Sequence, residues 1–103
     1  MIAEDIAAGF QALAHPLRVQ AISMLVTAGD AGLAAGAIST ELGVAKNTLS
    51  PHLVVLARAA LVSSKRNGRS IIYRADLQQL QRLWMAFPLS EEVKLHLSAS
   101  SKR

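Results

Sequence analysis

The stretch ELGVAKNTLSPHL, residues 41–53, places a glycine between two segments in which apolar residues recur at helical spacing. The spacing predicts a short helix over residues 34–42 and a second helix over residues 46–59. The apolar positions of these two helices are Ile38, Leu42, Leu49, Leu53 and Leu56. Gly43 tolerates the left-handed backbone that a tight connection between crossing helices requires. This order is typical of a helix-turn-helix, whose second helix enters the major groove of DNA.

A proline lies near the start of the second helix, where it removes a backbone hydrogen bond. An interior proline costs about 3 kcal/mol, and the cost is smaller in the first turn. Asn47 is a good N-cap and Ala45 a poor one, so we expect Asn47 to cap this helix and Pro51 to lie in a loosened first turn. Pro51 then faces outward beside Ser50, where it offers an apolar contact to a thymine methyl group.

Two strand-like runs follow in residues 61–74, and they flank the dipeptide Asn67-Gly68. Asn-Gly between such runs is among the strongest short signals for a β-hairpin, because both residues tolerate positive φ. The hairpin belongs to a basic segment, since residues 46–74 contain six Lys and Arg and no Asp or Glu. The remainder of the chain is acidic on balance. Positive charge concentrated beside a helix-turn-helix predicts an anionic partner, with nucleic acid first.

Two amphipathic helices precede the helix-turn-helix. The spacing of apolar residues predicts the first over residues 2–13 and the second over residues 16–28. In the second of them, Val19, Ile22 and Val26 are expected to face inward.

The rest of the chain predicts a turn over residues 30–33 and two helices after the hairpin. Asp76 is expected to N-cap the last long helix, and a short helix follows as far as Leu97. The tail over residues 98–103 is expected to fray. The sequence therefore predicts one domain, residues 1–103, which is mainly α with a small β-hairpin and forms a winged helix-turn-helix.

Composition excludes several classes of protein. The absence of cysteine excludes disulfides, thiol-based sensing and cysteine nucleophiles. No apolar run approaches the roughly 20 residues of a membrane-spanning helix, and the acidic N-terminus lacks the basic start of a signal peptide, so we expect a cytoplasmic protein. No glycine loop, nucleophile elbow or carboxylate pair indicates an enzyme. Apolar residues make up 51% of this short chain, which favours a homodimer.

Four stretches recur together in a known order and spacing. They are Leu13-Ala14-His15-Pro16-Leu17-Arg18, Glu41-Leu42-Gly43-Val44 followed by Thr48-Leu49-Ser50-Pro51-His52-Leu53, Leu56-Ala57-Arg58-Ala59-Ala60-Leu61-Val62, and Arg66-Asn67-Gly68-Arg69-Ser70-Ile71-Ile72-Tyr73. In these stretches the chain resembles the ArsR/SmtB family of winged-helix repressors, over about residues 10–76. The resemblance implies a cytoplasmic dimer that binds a palindromic operator in double-stranded DNA and represses transcription.

The resemblance further implies which helices form the dimer interface. In the family these are the first helix and the last long helix, which correspond here to segments 2–13 and 76–97. The apolar residues that would take part are Ile2, Ile6, Phe10, Leu80, Leu83, Trp84 and Phe87. From the residues alone, the same stripes also fit an ordinary hydrophobic core.

Helix geometry selects the candidate DNA contacts. With the leucine face buried and 100° between successive residues, the face that carries Asn47 and Ser50 points outward, and residues near the N-terminus reach the bases most easily. The candidates for the groove and its adjoining phosphates are Lys46, Asn47, Thr48, Ser50 and Pro51. The candidates for phosphate contacts on the hairpin are Lys65, Arg66 and Arg69. We expect His52 to be packed within the fold and Arg18 to anchor it.

The resemblance also bears on the inducing signal, because family members often bind metals. Where one family site has two cysteines, this chain has Gly43 and Ala45, and residues 77–87 lack the His, Asp and Glu of another. We therefore expect neither a metal site of these kinds nor a cofactor. An apolar small molecule near Trp84, a protein partner and no inducer all remain open. A further alternative is a winged helix that serves as a protein-interaction module.

Overall fold

The computed structural model describes residues 1–86 and 89–101, and these residues form helices around a small sheet. The helices are α1 (Ala3–Leu13), α2 (Pro16–Ala28), α3 (Ala35–Leu42), α4 (Lys46–Arg58), α5 (Leu77–Met85) and α6 (Leu89–Ser101). The strands are β1 (Leu33–Ala34), β2 (Val62–Asn67) and β3 (Ser70–Ala75), with a 3₁₀ turn at Gly29–Ala31. The predicted fold class is confirmed. Helix α6 continues to Ser101, beyond Leu97, where the sequence predicted that it ends.

The hairpin is part of a three-stranded antiparallel sheet with the strand order β1-β3-β2. Strand β1 pairs with β3 through Leu33 opposite Tyr73 and Ala34 opposite Ile72. The prediction of a turn over residues 30–33 was therefore wrong at Leu33, which lies in a strand. A two-residue strand is too short to show the alternation of apolar and polar residues on which strand prediction depends.

The turn of the hairpin lies one residue further along than expected. Asn67 pairs with Ser70 at the end of the ladder, so the two loop residues are Gly68 and Arg69. Gly68 has a φ of 64°, which suits the first central position of a type II′ turn. The predicted hairpin is confirmed, whereas its expected centre at Asn67-Gly68 is wrong. The wing, as we call the β2–β3 hairpin, therefore carries Arg69 at its tip.

Helix α3 ends in a backbone motif that directs the chain into α4. The amide of Val44 donates to the carbonyl of Ser39 at 3.0 Å, and the amide of Gly43 donates to the carbonyl of Thr40 at 3.2 Å. Together these bonds form a Schellman motif, which requires a left-handed residue. Gly43 supplies it with a φ of 68°, as the sequence predicted for this glycine.

The same motif ends α4, but an alanine occupies the left-handed position. Ala60 has a φ of 61°, and its amide donates to the carbonyl of Ala57 at 3.0 Å. The amide of Leu61 donates to the carbonyl of Leu56, also at 3.0 Å. A left-handed alanine costs about 1–2 kcal/mol relative to the right-handed helix. The full burial of Leu61 directly after it offsets that cost.

Helix α4 begins earlier than its capping preferences predict. Ala45 is extended, with a ψ of 151°, and its carbonyl accepts from the amides of Thr48 and Leu49 at 3.0 and 3.1 Å. The expectation that Asn47 is the N-cap was wrong, because Asn47 already lies within the helix. Pro51 is consequently its sixth residue and lies beyond the first turn. Tertiary packing overrides a weak local preference here, since the start of α4 brings the leucine face onto the core.

The core lies between α2, α3, α4 and the base of the wing. Its largest fully buried side chains are Leu25, Ile38, Leu49, Leu53, Leu56 and Leu61. Helix α2 contributes Ala21, Ile22 and Leu25 to it, whereas Val19 is 49% exposed and Val26 is 44% exposed. The prediction that these two valines face inward was wrong. Two apolar stripes on α2 share Ile22 and both fit helical spacing. The stripe with Ala21 and Leu25 is buried, and the stripe with Val19 and Val26 is exposed.

Candidate nucleic-acid interface

The outward face of α4 is polar near its N-terminus. The predicted groove residues Lys46, Asn47, Thr48, Ser50 and Pro51 are all exposed. The opposite face of the same helix is buried through Leu49, Leu53 and Leu56, each at most 1% exposed. Because the buried face fixes the rotation of α4 about its axis, these side chains are presented at one angle. A rigid helix with an exposed polar N-terminal half is suited to reading a groove.

Three of these side chains have further features that bear on recognition. The Ser50 hydroxyl donates to the carbonyl of Lys46 at 2.8 Å, which leaves its oxygen able to accept a bond from outside. The Lys46 side chain lies against Gly36, at the junction of α3 and α4. Pro51 has no N–H, so position 51 cannot donate to the carbonyl of Asn47. That carbonyl lies on the exposed side of α4, beside the proline ring.

The wing carries three exposed cations. Lys65 and Arg66 are neighbours on β2, and Arg69 lies in the turn. Lys65 stands opposite Ile72 and Arg66 opposite Ile71, so the two cations project from opposite faces of the ribbon. Among the described residues, no carboxylate pairs with any of these three side chains. Their charge is therefore available to an external anion such as a phosphate group.

The other cations of the basic segment occupy different positions. Arg74 is partly buried, and its Nε donates to the backbone carbonyl of Asp30. This bond joins β3 to the turn before β1, so Arg74 stabilises the base of the sheet. Arg58 is exposed in the last turn of α4, at the end opposite the predicted groove residues.

Two histidines and an arginine meet where α2 packs against α4. His15 caps α2, because its Nδ1 accepts from the amide of Leu17 at 3.1 Å. The His15 ring also contacts the His52 ring, with 4.2 Å between their centroids. The pKa of His52 is lowered by burial first, and then by the charges of His15 and Arg18. His52 is partly buried, as expected, and this contact joins α4 to the start of α2.

The residues predicted for the dimer interface differ in exposure. Ile2, Phe10 and Trp84 are 63%, 39% and 67% exposed. Ile6 and Leu80 are partly buried against the core. Leu83 is only 3% exposed, since it packs within its own chain against Gly9 of α1, and has little area left for a partner. Phe87 lies outside the described residues.

Sequence reasoning missed one large apolar residue on α5. Met85 is 63% exposed beside Trp84, and it extends the apolar surface of that helix. The apolar stripe predicted for α5 did not include Met85. Met85 follows Leu83 by two positions, which places it on nearly the opposite side of a helix from that buried residue. Because Trp84 and Met85 are both exposed, the apolar surface of α5 is wider than the predicted stripe.

A metal-ligand cluster and a membrane-spanning helix are both absent from the part of the chain that the structure describes. It contains no group of three His, Cys, Asp or Glu side chains placed to hold a metal ion. None of its helices is both long and apolar enough to cross a membrane.

Comparison with known sequences identifies relatives of this chain. Residues 13–64 match the model of a family described as a helix-turn-helix domain. An uncharacterized HTH-type transcriptional regulator of Mycobacterium tuberculosis is 32% identical over 90 residues, covering 82% of this chain and 77% of that protein. The biofilm growth-associated repressor of Xylella fastidiosa is 31% identical over 72 residues, covering 70% of this chain and 60% of that protein.

Solved structures give a matching result. An ArsR-like transcriptional regulator from Rhodococcus sp. RHA1 superimposes with a TM-score of 0.73 and 28% identity, over 96% of this chain and 92% of that one. The homodimeric winged helix-turn-helix DNA-binding domain of Mb0332 from Mycobacterium bovis gives a TM-score of 0.69 and 26% identity. The match covers 90% of this chain and 84% of that domain.

Proposed function

The chain belongs to the ArsR family of winged helix-turn-helix transcriptional regulators, and we propose that it is a dimeric repressor that binds a palindromic operator in double-stranded DNA. DNA binding and transcriptional regulation are the activities of this family. Repression by a dimer is supported by the repressors among its relatives and by the homodimeric domain that it resembles. The single observation that carries the proposal is the exposed polar face at the start of α4 together with the exposed basic wing that follows this helix.

In the proposed complex, the N-terminal half of α4 lies in the major groove. Asn47 suits bidentate pairing with adenine, and Lys46 suits guanine or a phosphate group. Thr48 and Ser50 bind an adjoining phosphate or a base edge. Pro51 presents its ring to a thymine methyl group.

The wing supplies phosphate contacts in this proposal. Lys65, Arg66 and Arg69 are exposed and unpaired within the described residues, so no internal ion pair must break before they bind DNA. Each phosphate that they neutralise releases counterions, and the affinity therefore falls steeply with salt. Because Lys65 and Arg66 lie on opposite faces of the ribbon, the wing can contact both sides of a minor groove.

The proposed dimer forms through α1 and α5. Their exposed residues Phe10, Trp84 and Met85 are large and apolar, and burial of such residues against a second subunit is favourable. Palindromic operators match a twofold dimer, because each half of the site then meets an identical subunit. The proposal includes no thiol sensor and no metal sensor. The chain has no cysteine, and its described residues contain no metal-ligand cluster.

The first experiment selects genomic fragments that bind the protein and measures its affinity for the recovered site across a salt series. We expect Arg66→Ala and Arg69→Ala each to weaken binding and to reduce the slope of log affinity against log salt by about 1. Arg66→Lys and Arg69→Lys are the matched controls, because they keep the charge and should keep the slope. Absence of binding at low salt would refute the proposal and favour a protein-interaction module.

A second experiment tests the proline of the recognition helix. As the sixth residue of α4, Pro51 carries a cost that Pro51→Ala removes, so we expect the free energy of unfolding to stay equal or to rise by up to about 3 kcal/mol. The operator preference should change at an A·T position, because the contact to the methyl group is lost. An unchanged preference would show that Pro51 has no part in recognition. Strong unfolding of Pro51→Ala would contradict the expected cost of the proline and would give Pro51 a structural role.

A further inference from the structure

A cavity of about 540 Å³ lies between α1, α2 and the C-terminal half of α4. Its volume falls within the range of small-molecule sites in proteins. The side chains that give it chemical character are Gln11, Arg18 and Arg58. Its lining also includes Ala8, Ala12 and Ala59, which leave room because their side chains are small. The proposed DNA contacts use none of these residues.

The cavity is positively charged. Two guanidinium groups line it, and the lining contains no Asp or Glu. The Nε of Arg18 is buried, and within the described residues it has no hydrogen-bond partner. A buried donor without an acceptor is unfavourable, so a ligand that supplies an acceptor to Arg18 is stabilised there. The fork geometry of guanidinium matches a carboxylate, which can accept two parallel bonds from one arginine.

The remainder of the lining is apolar. Alanines from α1 and α4 and the side chain of Val55 form most of it. Apolar walls with a small number of convergent polar groups are typical of sites that orient an organic ligand. A bare inorganic anion would leave these walls uncovered, whereas an organic acid with an apolar body would cover them.

The location separates this cavity from both surfaces already described. Arg58 lies eleven residues after Asn47 on α4, which is about 16 Å along the helix axis, so the cavity is far from the groove-reading end. On α1, Ala8 and Ala12 point about 160° away from Phe10 at 100° per residue. A partner subunit that packs on the Phe10 side therefore leaves the cavity open.

We propose that this cavity binds a small organic carboxylate, whose anionic group pairs with Arg18 and Arg58 and whose apolar body lies on the alanines. The bound ligand joins α4 to α1 and α2, and so it acts on the helix that reads DNA. That regulatory consequence rests on the proposed function, whereas the binding itself does not.

Benzoate is a suitable probe, with benzamide as its neutral counterpart of the same shape. The full chain, without DNA, is titrated with each compound while backbone amide signals are followed by NMR. We expect saturable shifts with benzoate at the amides of Ala12, Val55 and Ala59, and weaker shifts with benzamide. Arg18→Gln and Arg58→Gln should each raise the benzoate dissociation constant by about tenfold or more, equivalent to at least about 1.4 kcal/mol.

The control variant is Arg82→Gln, since Arg82 is an exposed arginine that does not line this cavity. It should leave the benzoate affinity unchanged. Arg58→Gln keeps the test decisive if Arg18→Gln does not fold, because Arg58 is exposed. Equal binding of benzamide, no saturation with benzoate, or full affinity in Arg58→Gln would each overturn the proposal.

A second arm measures operator affinity with and without saturating benzoate. We expect benzoate to change the affinity of the unaltered chain at least threefold and to leave that of Arg58→Gln unchanged. If benzoate binds as described but the operator affinity does not change, the regulatory consequence is refuted. Failure of DNA binding as such is visible in samples without benzoate, so it is distinguishable from failure of the site.

Discussion

The α3–α4 side of the molecule and the α1–α5 side differ in how completely one chain covers them. Ile38, Leu49 and Leu56 have no exposed area, so the inner face of the helix-turn-helix is fully covered by its own subunit. On the other side, Leu77 is 53% exposed and Trp84 is 67% exposed. The helix-turn-helix, which we propose reads DNA, thus has its core completed within a single chain. The other side has the apolar character of a surface that a second subunit covers.

The largest expected effect is a loss of stability when the buried face of α4 is altered. Leu53→Ala should lower the free energy of unfolding by about 2–5 kcal/mol, because it removes a buried side chain and leaves a cavity. The adjacent Val54 is 46% exposed, and Val54→Ala is the matched control, with an expected change within about 0.5 kcal/mol. Denaturant unfolding at fixed protein concentration measures both. Similar losses in the two variants would contradict the assignment of the buried face.

The next effect is a weaker proposed dimer when the exposed apolar surface of α5 is altered. Trp84→Ser should raise the dissociation constant of the proposed dimer by about tenfold or more, since a large aromatic residue is the expected centre of such an interface. Val26→Ser is the control, because Val26 is exposed on α2. Sedimentation equilibrium measures the constant directly. An unchanged constant in Trp84→Ser would place the interface elsewhere.

A smaller effect tests how α1 and α5 are held together. A Cβ on Gly9 would lie 2.7 and 2.8 Å from the Cδ atoms of Leu83, so Gly9→Ala crowds that contact. Overpacking costs about 1–3 kcal/mol, whereas alanine in a helix gains about 1 kcal/mol over glycine, so we expect a net loss of about 1 kcal/mol.

The corresponding double-mutant cycle uses Leu83→Ala as the background. There the crowding is gone, and Gly9→Ala should raise the free energy of unfolding by about 1 kcal/mol. The reversal of sign identifies the contact. The same sign in both backgrounds would show that Gly9 and Leu83 do not limit each other.

The smallest effect is a dependence of stability on pH. The pKa of His52 in the folded chain lies below its ordinary value of 6.5, so the unfolded chain binds its proton at higher pH. The free energy of unfolding should therefore fall as the pH decreases below that value, and it should be unaffected by this group above it. His52→Gln should reduce the slope, and an unchanged slope would assign the pH dependence to other groups. Thermal unfolding in closely spaced buffers at one protein concentration gives the slopes.

The central part of the fold is readable from the sequence because its signals are strong and local. Gly43 lies between two helices whose leucines share one face, and a left-handed residue is needed there in the structure as well. The hairpin was predicted from two strand-like runs that flank Asn67-Gly68. Asp76 caps α5 as expected, with its carboxylate accepting from the amide of Gln79 at 2.9 Å. The predicted groove and wing residues are all exposed.

The remaining features depend on contacts between distant parts of the chain. Strand β1 exists because Leu33 meets Tyr73, forty residues away, and two residues carry no periodicity of their own. The inward face of α2 depends on where its neighbours lie, and Val19 is as apolar as the residues that are buried. The cavity beside Arg18 and Arg58 arises from three separate helices, so no local motif indicates it.

The Schellman motifs at Gly43 and Ala60 have a mechanical consequence. They fix the direction in which the chain enters α4 and the direction in which it leaves toward the wing, through backbone bonds at both ends of the helix. In the proposed dimer, a subunit whose α4 is held at both ends has little freedom to bend toward its half-site. Two copies can change only the distance and the twist between their recognition helices. An inducing signal would then be read out as a mismatch in half-site spacing, with the base contacts of each half-site left intact.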